Sequence, residues 1–309
     1  MKTSQMLTSV MYHYVRDVEN SRFPGIKGIS RQSFRRQIQE LSSTYEIADA
    51  EKIREFFSGH REPGSRPLCA LTFDDGFKEH ADFVTEVCVD FGVTGQFYIT
   101  TACIEEKRVL DVHKNHFLLA AMGVEAYAAS VFHILKSEFG IDELPVEPSL
   151  VTRHYRWDRP EVARLKYLIN YQLEPQLRSR LLALMFTSEF GDESAFASEL
   201  YVSWEDLKSM KRAGMMIGGH SHRHQVMAEL SENACIEDIQ SCLGLLRTHI
   251  GRDAVNSFAY PYGKPHTIPD GIETVLEQHG IDFAFSTIIG TSAPEDDRYC
   301  IRRIDPKDL

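Results

Sequence analysis

The sequence predicts an α/β protein built on a mainly parallel sheet, and three observations predict it. Short apolar runs of strand length alternate with stretches of helical periodicity, the mark of successive βαβ units. Polar clusters follow several of those runs, where parallel α/β folds build their sites. The chain has 309 residues, 43% hydrophobic and 26% charged. That suffices for one large or two ordinary domains with a filled core, and lies outside the composition of disordered or fibrous chains.

The candidate strands are 7–14, 68–73, 94–100, 215–218, 257–260 and 283–288. Between them, Phe34, Ile38 and Leu41 recur at helical spacing, as do Phe83, Val87 and Phe91 before a stop at Gly92. Ser203 reads as the N-cap of a helix through Lys211 that stops at Gly214, with Asp206 at the third helical position. Further helices fit 232–250 and 271–279, each followed by glycine. Residues 105–199 break this rhythm. Helical patterns recur there at 117–121, 126–139 and 161–186, with a break near Glu174-Pro175 and Pro160 at a first helical position. We read 105–199 as a helical insertion in one domain spanning 1–309, because strand-and-helix alternation resumes at Val202-Ser203-Trp204. The polar run 111–116 reads as a solvated helix start.

Lys+Arg number 34 against 45 Asp+Glu, a formal charge of −11. This argues against nucleic acid as a partner, which needs clustered cations to displace counterions. No apolar run is read as long enough for a transmembrane segment. No signal-like stretch develops over 1–15, so a cytoplasmic location is expected. The six cysteines show no C-x-x-C spacing and read as reduced core residues.

Three clusters carry chemistry. Thr72-Phe73-Asp74-Asp75-Gly76 places two adjacent carboxylates at the end of a buried strand, where they repel unless a cation or a shared proton intervenes. Read alone, it also fits a turn with Asp capping the next helix. In Gly219-His220-Ser221-His222-Arg223-His224, two histidines four apart would share one face of a helical turn and could reach one ion. One carboxylate with two imidazoles leaves a fourth position for water, the open arrangement of hydrolytic zinc sites. A surface histidine cluster is the alternative, and His222 should point elsewhere. Phe258-Ala259-Tyr260-Pro261-Tyr262-Gly263 gives a rigid aromatic loop whose N–H groups can face a pocket, or simply aromatic packing at a barrel rim.

In this order the clusters resemble the polysaccharide deacetylase family, the NodB-like carbohydrate esterases of family four, in the branch with Phe-Ala-Tyr-Pro-Tyr-Gly. The resemblance runs from about residue 7 to the carboxyl end, excluding the insertion. It implies a distorted (β/α) barrel that uses a divalent metal, usually zinc with cobalt, nickel or manganese as alternatives, to remove acyl groups from N-acylated sugars. By position, Asp75, His220 and His224 match the metal ligands and Asp74 the general base. The Tyr262 backbone N–H matches an oxyanion donor. Many members take a general acid from a Leu-x-His near the carboxyl end, which does not occur after Tyr262. Met11-Tyr12-His13 instead is similar to the segment supplying that acid in poly-N-acetylglucosamine deacetylases, which nominates His13. Ala259 stands where many members have an arginine that orients the base; Arg303, or else Arg302, is expected to supply that charge from the last strand, with a surface ion pair as the alternative.

The expected activity is metal-dependent N-deacylation of an amino sugar or glycan precursor. A deformylase or small-amide amidohydrolase would use the same machinery, and a metal-retaining glycan-binding pseudoenzyme is a different class. The insertion is expected to cover part of the cleft or to build a homo-oligomer interface.

Overall fold

The computed structural model describes residues 6–19, 21–60, 66–142 and 159–309. The first five residues of the supposed signal-free amino terminus lie outside the described residues. The described chain divides into two compact units, one of residues 1–17, 28–107 and 198–309, the other of 18–27 and 108–197.

The first unit is a parallel barrel. Its strands are β1 (Leu7–Tyr12), β2 (Glu46–Ile47), β3 (Leu68–Phe73), β4 (Gly95–Ile99), β5 (Met216–Gly219), β6 (Ser257–Ala259), β7 (Phe283–Ile289) and β8 (Ile301–Arg303). Seven follow the order β1-β3-β4-β5-β6-β7-β8, with the two-residue β2 paired to the start of β3. The ends nearly close through Met11 N–H to the Ile304 carbonyl at 3.0 Å and Ile304 N–H to the Ser9 carbonyl at 2.8 Å. The result is the distorted (β/α) barrel expected from the sequence. The predicted strands are present with ends that move by at most two residues: β1 stops at Tyr12, so His13 already belongs to the loop above it.

The pleat sorts each strand between two layers. On β3, Leu68 and Ala70 pack with Tyr98, Ala259, Phe285 and Ile301, whereas Cys69, Leu71 and Phe73 pack with Val84, Val87, Leu207 and Leu243 from the surrounding helices. Successive side chains point to opposite faces, so Thr72 and then Asp74 continue the interior row, as does Arg303 after Ile301. Gly218 is required inside by Tyr98, because a Cβ there would sit 2.4 Å from the ring. Helix Ala50–Ser58, capped by Asp49, adds Ala50, Ile53 and Phe56 to the cluster at the strand starts. The site is thus left to the strands' carboxyl ends.

The helices follow their sequence signals. Phe34, Ile38 and Leu41 are the buried face of Arg31–Thr44. Trp204–Arg212 begins with a capping box between Ser203 and Asp206. The amphipathic stretch after the Asp-Asp-Gly turn opens as a π-turn, His80–Val84, before continuing as Thr85–Asp90.

The second unit is helical, with Asp111–Phe139, Pro160–Tyr167, Pro175–Phe190 and Glu193–Leu200. The two helices read at 117–121 and 126–139 are present as the two arms of Asp111–Phe139, which meet at Gly123, whose φ of 76° and ψ of 168° are non-helical. Two corrections arise. This element is long and apolar enough, by length and composition, to cross a membrane, which the sequence reading had not counted as one run. The kink interrupts its hydrogen-bond ladder, however, and leaves each arm shorter than the ~20 residues a straight span needs. Finally, 111–116 is not a solvated start: His113, Lys114 and Asn115 are buried. Lys114 Nζ meets Glu193 Oε1 at 2.9 Å, and the Tyr127 hydroxyl donates to Asn115 Oδ1 at 2.6 Å. Phe23 joins this unit, its ring 4.8 Å from Phe117 and 5.7 Å from Phe190.

Ser203→Ala removes the hydroxyl that accepts the Asp206 N–H at 3.2 Å. It should cost about 1 kcal/mol, measured as a lower urea midpoint without loss of fold.

Candidate metal centre

All seven nominated residues sit at or just beyond the carboxyl ends of barrel strands. Asp74 and Asp75 follow β3, and His13 follows β1. The Asp74 N–H donates to the Tyr12 carbonyl at 3.0 Å, extending the β1–β3 ladder and bringing Asp74 out beside His13. His220 follows β5, Tyr262 follows β6, and Arg303 ends β8.

Asp75, His220 and His224 converge. His220 Nε2 lies 3.5 Å and His224 Nε2 3.4 Å from Asp75 Oδ1. Their donor atoms fall within 4.8 Å of one another. One carboxylate oxygen and two imidazole nitrogens, largely removed from water, are a donor set suited to zinc and similar divalent ions. His220 Nδ1–H donates to the Ala259 carbonyl at 2.7 Å, which assigns the tautomer and turns the Nε2 lone pair toward Asp75. His222 points away, toward Thr101 Oγ1 at 2.9 Å and Glu106 Oε1 at 3.2 Å.

The route to this convergence differs from the sequence reading. His220 and His224 do not share a helical face, because 220–226 is irregular. Left-handed backbone at Ser221 (φ 63°) and His224 (φ 54°) instead turns the two rings to a centroid separation of 4.9 Å. Asp75 (φ 74°) and Tyr262 (φ 60°) share that conformation, so four of the five described non-glycine residues with positive φ lie in this site. Each costs on the order of 1–3 kcal/mol and persists only where surrounding bonds dictate it.

The second carboxylate is gripped differently. Arg303 donates from Nη1 to Asp74 Oδ1 at 2.9 Å, and its Nη2 lies 2.8 Å from Oδ2, with both side chains buried. Its own fork is fixed by Nε–H to the Ser286 carbonyl at 2.6 Å and Nη1 to Thr72 Oγ1 at 3.2 Å. The alternative of a surface pair is thereby excluded, and Arg302 is exposed. Burial alone would raise the Asp74 carboxyl; the Arg303 guanidinium, with His220 and His13, outweighs it and holds the group below its ordinary value. Burial would lower the His220 imidazolium, but the Asp74 and Asp75 carboxylates reverse this and raise it.

His13 Nε2 stands 3.9 Å from Asp74 Oδ2, with 41% of its side chain exposed. The Tyr262 ring lies 5.1 Å from that of His224.

Two residues near the site escaped the sequence reading. His80, fully buried among Phe73, Phe77 and Phe97, donates from Nε2 to the His13 carbonyl at 2.8 Å. Burial pulls its pKa to about 4, so it is neutral. Asp238 accepts the N–H groups of His222 and Arg223 at 2.8 and 2.9 Å. Its signal was legible in principle: a carboxylate on the otherwise apolar stripe of Cys235, Ile239 and Cys242.

A family profile described as polysaccharide deacetylase matches residues 180–284, a stretch that holds His220, His224 and Tyr262. Solved structures share the fold. A deacetylase, PplD, from Streptococcus pyogenes is 13% identical with a TM-score of 0.62, over 99% of this chain and 97% of that one. IcaB from Ammonifex degensii is 15% identical with a TM-score of 0.56, over 97% and 91%. The BpsB deacetylase domain from Bordetella bronchiseptica is 13% identical with a TM-score of 0.55, over 99% and 97%. No curated protein sequence matches. The profile and the shared barrel make the chain similar to polysaccharide deacetylases, in sequence over residues 180–284 and in fold over nearly its whole length.

Replacing Arg303 by Leu strands a buried carboxylate and should cost about 3–5 kcal/mol in chemical denaturation at neutral pH. Because the folded-state pKa of Asp74 is depressed, this loss should shrink only as pH falls through and below the ordinary carboxylate range. Protons should also compete with the ion at His220, whose pKa is raised, so zinc affinity by calorimetry should be weaker at pH 6 than at pH 8, with proton release on binding.

Proposed function

We propose that this protein is a metal-dependent hydrolase that removes an N-acyl group, acetyl in the simplest case, from an amino sugar or glycan precursor. The observation that carries this reading is the pairing of two differently held neighbours: Asp75 grouped with two imidazoles, and Asp74 clamped by a buried Arg303 within 3.9 Å of His13. The solved deacetylases that share the fold support the same class of chemistry.

Asp75, His220 and His224 would hold the divalent cation, with zinc the best fit to two imidazoles and a carboxylate. When bound, such an ion acidifies a water molecule and polarises the acyl oxygen. Asp74 accepts the proton of the attacking water. It is fit for this because Arg303 keeps it ionised and fixes its rotamer, while the guanidinium cannot itself take the proton. Water oxygen bonds to the carbonyl carbon, and the Tyr262 backbone N–H donates to the oxygen on which negative charge develops. The carbon–nitrogen bond then breaks. His13 delivers a proton to the departing nitrogen, so the products are a carboxylic acid and a free amine. His13 is partly exposed to solvent and stands 3.9 Å from Asp74. An intact base and its arginine favour catalysis over a glycan-binding pseudoenzyme.

The test is release of acetate or formate from N-acylated amino sugars, free and nucleotide-linked, with added zinc and after chelation. Asp74→Asn should lower kcat by about 10²–10⁴ while bound zinc stays near one per chain. His13→Ala should slow amide cleavage far more than cleavage of an activated aryl ester, whose leaving group needs no proton. Acyl release that survives both chelation and Asp74→Asn would refute the proposal.

A further inference from the structure

The segment from His220 to His224 can be accounted for almost bond by bond. On one side it is stitched to the chain that follows β4. The His220 N–H donates to the Ile99 carbonyl at 2.9 Å, and the Thr100 hydroxyl donates to the His220 carbonyl at 2.9 Å. The Ser221 carbonyl receives the Thr101 N–H at 3.4 Å, and the His222 carbonyl receives the Ala102 N–H at 2.9 Å. The turn's carbonyls therefore have partners supplied by the strand end.

Its remaining N–H groups face the other way. The His224 N–H donates to Ser221 Oγ at 2.7 Å. Those of His222 and Arg223 both donate to Asp238, one to each carboxylate oxygen, at 2.8 and 2.9 Å. One carboxylate, 8% exposed and carried on helix Glu232–Ile250, is thus the shared acceptor for a turn held left-handed at Ser221 and His224. A helix packed on the core through Cys235, Ile239 and Cys242 is a rigid mount, and a charged acceptor makes shorter and stronger bonds than a neutral one. No other side chain among the described residues is shown bonding the His222 and Arg223 N–H groups together.

We propose that Asp238 is a positioning residue for the metal centre: by holding the His222–Arg223 backbone, it sets the distance between the His220 and His224 imidazoles, and with it the affinity and coordination geometry of the ion. The inference rests on the metal reading of Asp75, His220 and His224, and adds to it a determinant that touches neither ion nor substrate. Partners one shell out from metal ligands commonly change affinity by about 10–100-fold when removed, and Asp238 acts on the backbone that carries two ligands at once.

The experiment titrates Co²⁺ into the metal-free full-length protein, reading calorimetric affinity and the visible d–d absorption, with a thermal melt of each metal-free variant. The wild type should bind one equivalent with an intense band of low coordination number. If it does not, the metal reading itself fails, whatever Asp238 does. Given wild-type binding, Asp238→Ala should weaken affinity at least about 10-fold and alter the band's position or intensity. Asp238→Asn keeps the shape and one carbonyl acceptor, and should fall between the two. Wild-type affinity and spectrum in a folded Asp238→Ala protein would overturn the proposal. Should the alanine variant not fold, Asp238→Asn decides: a weakened site with a changed spectrum supports the positioning role, and an unchanged one overturns it.

Discussion

Two carboxylates sit side by side at the end of one buried strand, and the rest of the site is arranged around that fact. Left to themselves, Asp74 and Asp75 would repel, and one would take up a proton. The fold gives each its own counter-charge. Asp74 follows the interior parity of β3 and meets the guanidinium of Arg303, which reaches it from the last strand of the barrel. Asp75, turned out of that row by its left-handed backbone, meets two imidazoles instead. Neighbours in sequence thereby acquire different surroundings, one a carboxylate clamped by a guanidinium, the other grouped with two imidazoles. This is the general device of driving two titratable groups apart through their environments.

The near-closure of the barrel is what makes the Arg303 contact available. β8 lies next to β7 and, through Ile304, against β1, so Arg303 and Thr72 face the same interior although far apart in sequence. Ala259 leaves room on β6 without contributing a charge, and the arginine arrives from a different strand. Rigidity has a cost: positive φ at Asp75, Ser221, His224 and Tyr262 is strain that only a well-bonded frame can hold. Hydrogen bonds from the chain after β4 and from helix Glu232–Ile250 provide that frame at the histidine turn.

Much of this was legible in the sequence, for a definite reason. A strand such as 68–73 has its apolar run and its polar terminus written locally, so both the parallel sheet and the cluster at Asp74-Asp75 could be read, and the resemblance supplied the barrel. Caps were equally local: Ser203 with Asp206 states its geometry in four residues. What could not be read depends on distant packing or on backbone conformations that ordinary residues rarely adopt. The spacing of His220 and His224 suggested a helical turn, and the structure reaches a similar ring separation through an irregular one. Arg303 was preferred to Arg302 on the resemblance alone, and strand parity buries the first and exposes the second. His80 and Asp238 serve atoms of the main chain, and no side-chain motif announces such a role. In the helical unit, burial of Lys114 and Asn115 follows from partners at Glu193 and Tyr127, beyond the reach of any local pattern.

The central claim is that one ion is held by Asp75, His220 and His224 while Asp74, kept by Arg303, stays off it. Diffraction from zinc-loaded crystals, with anomalous maps on both sides of the zinc absorption edge, tests this most directly. The account predicts a single strong peak about 2.0–2.2 Å from one Asp75 oxygen and from both Nε2 atoms, with the Asp74 carboxylate still on the Arg303 fork. A peak elsewhere, or one that draws Asp74 off Arg303 to become a ligand, would contradict it.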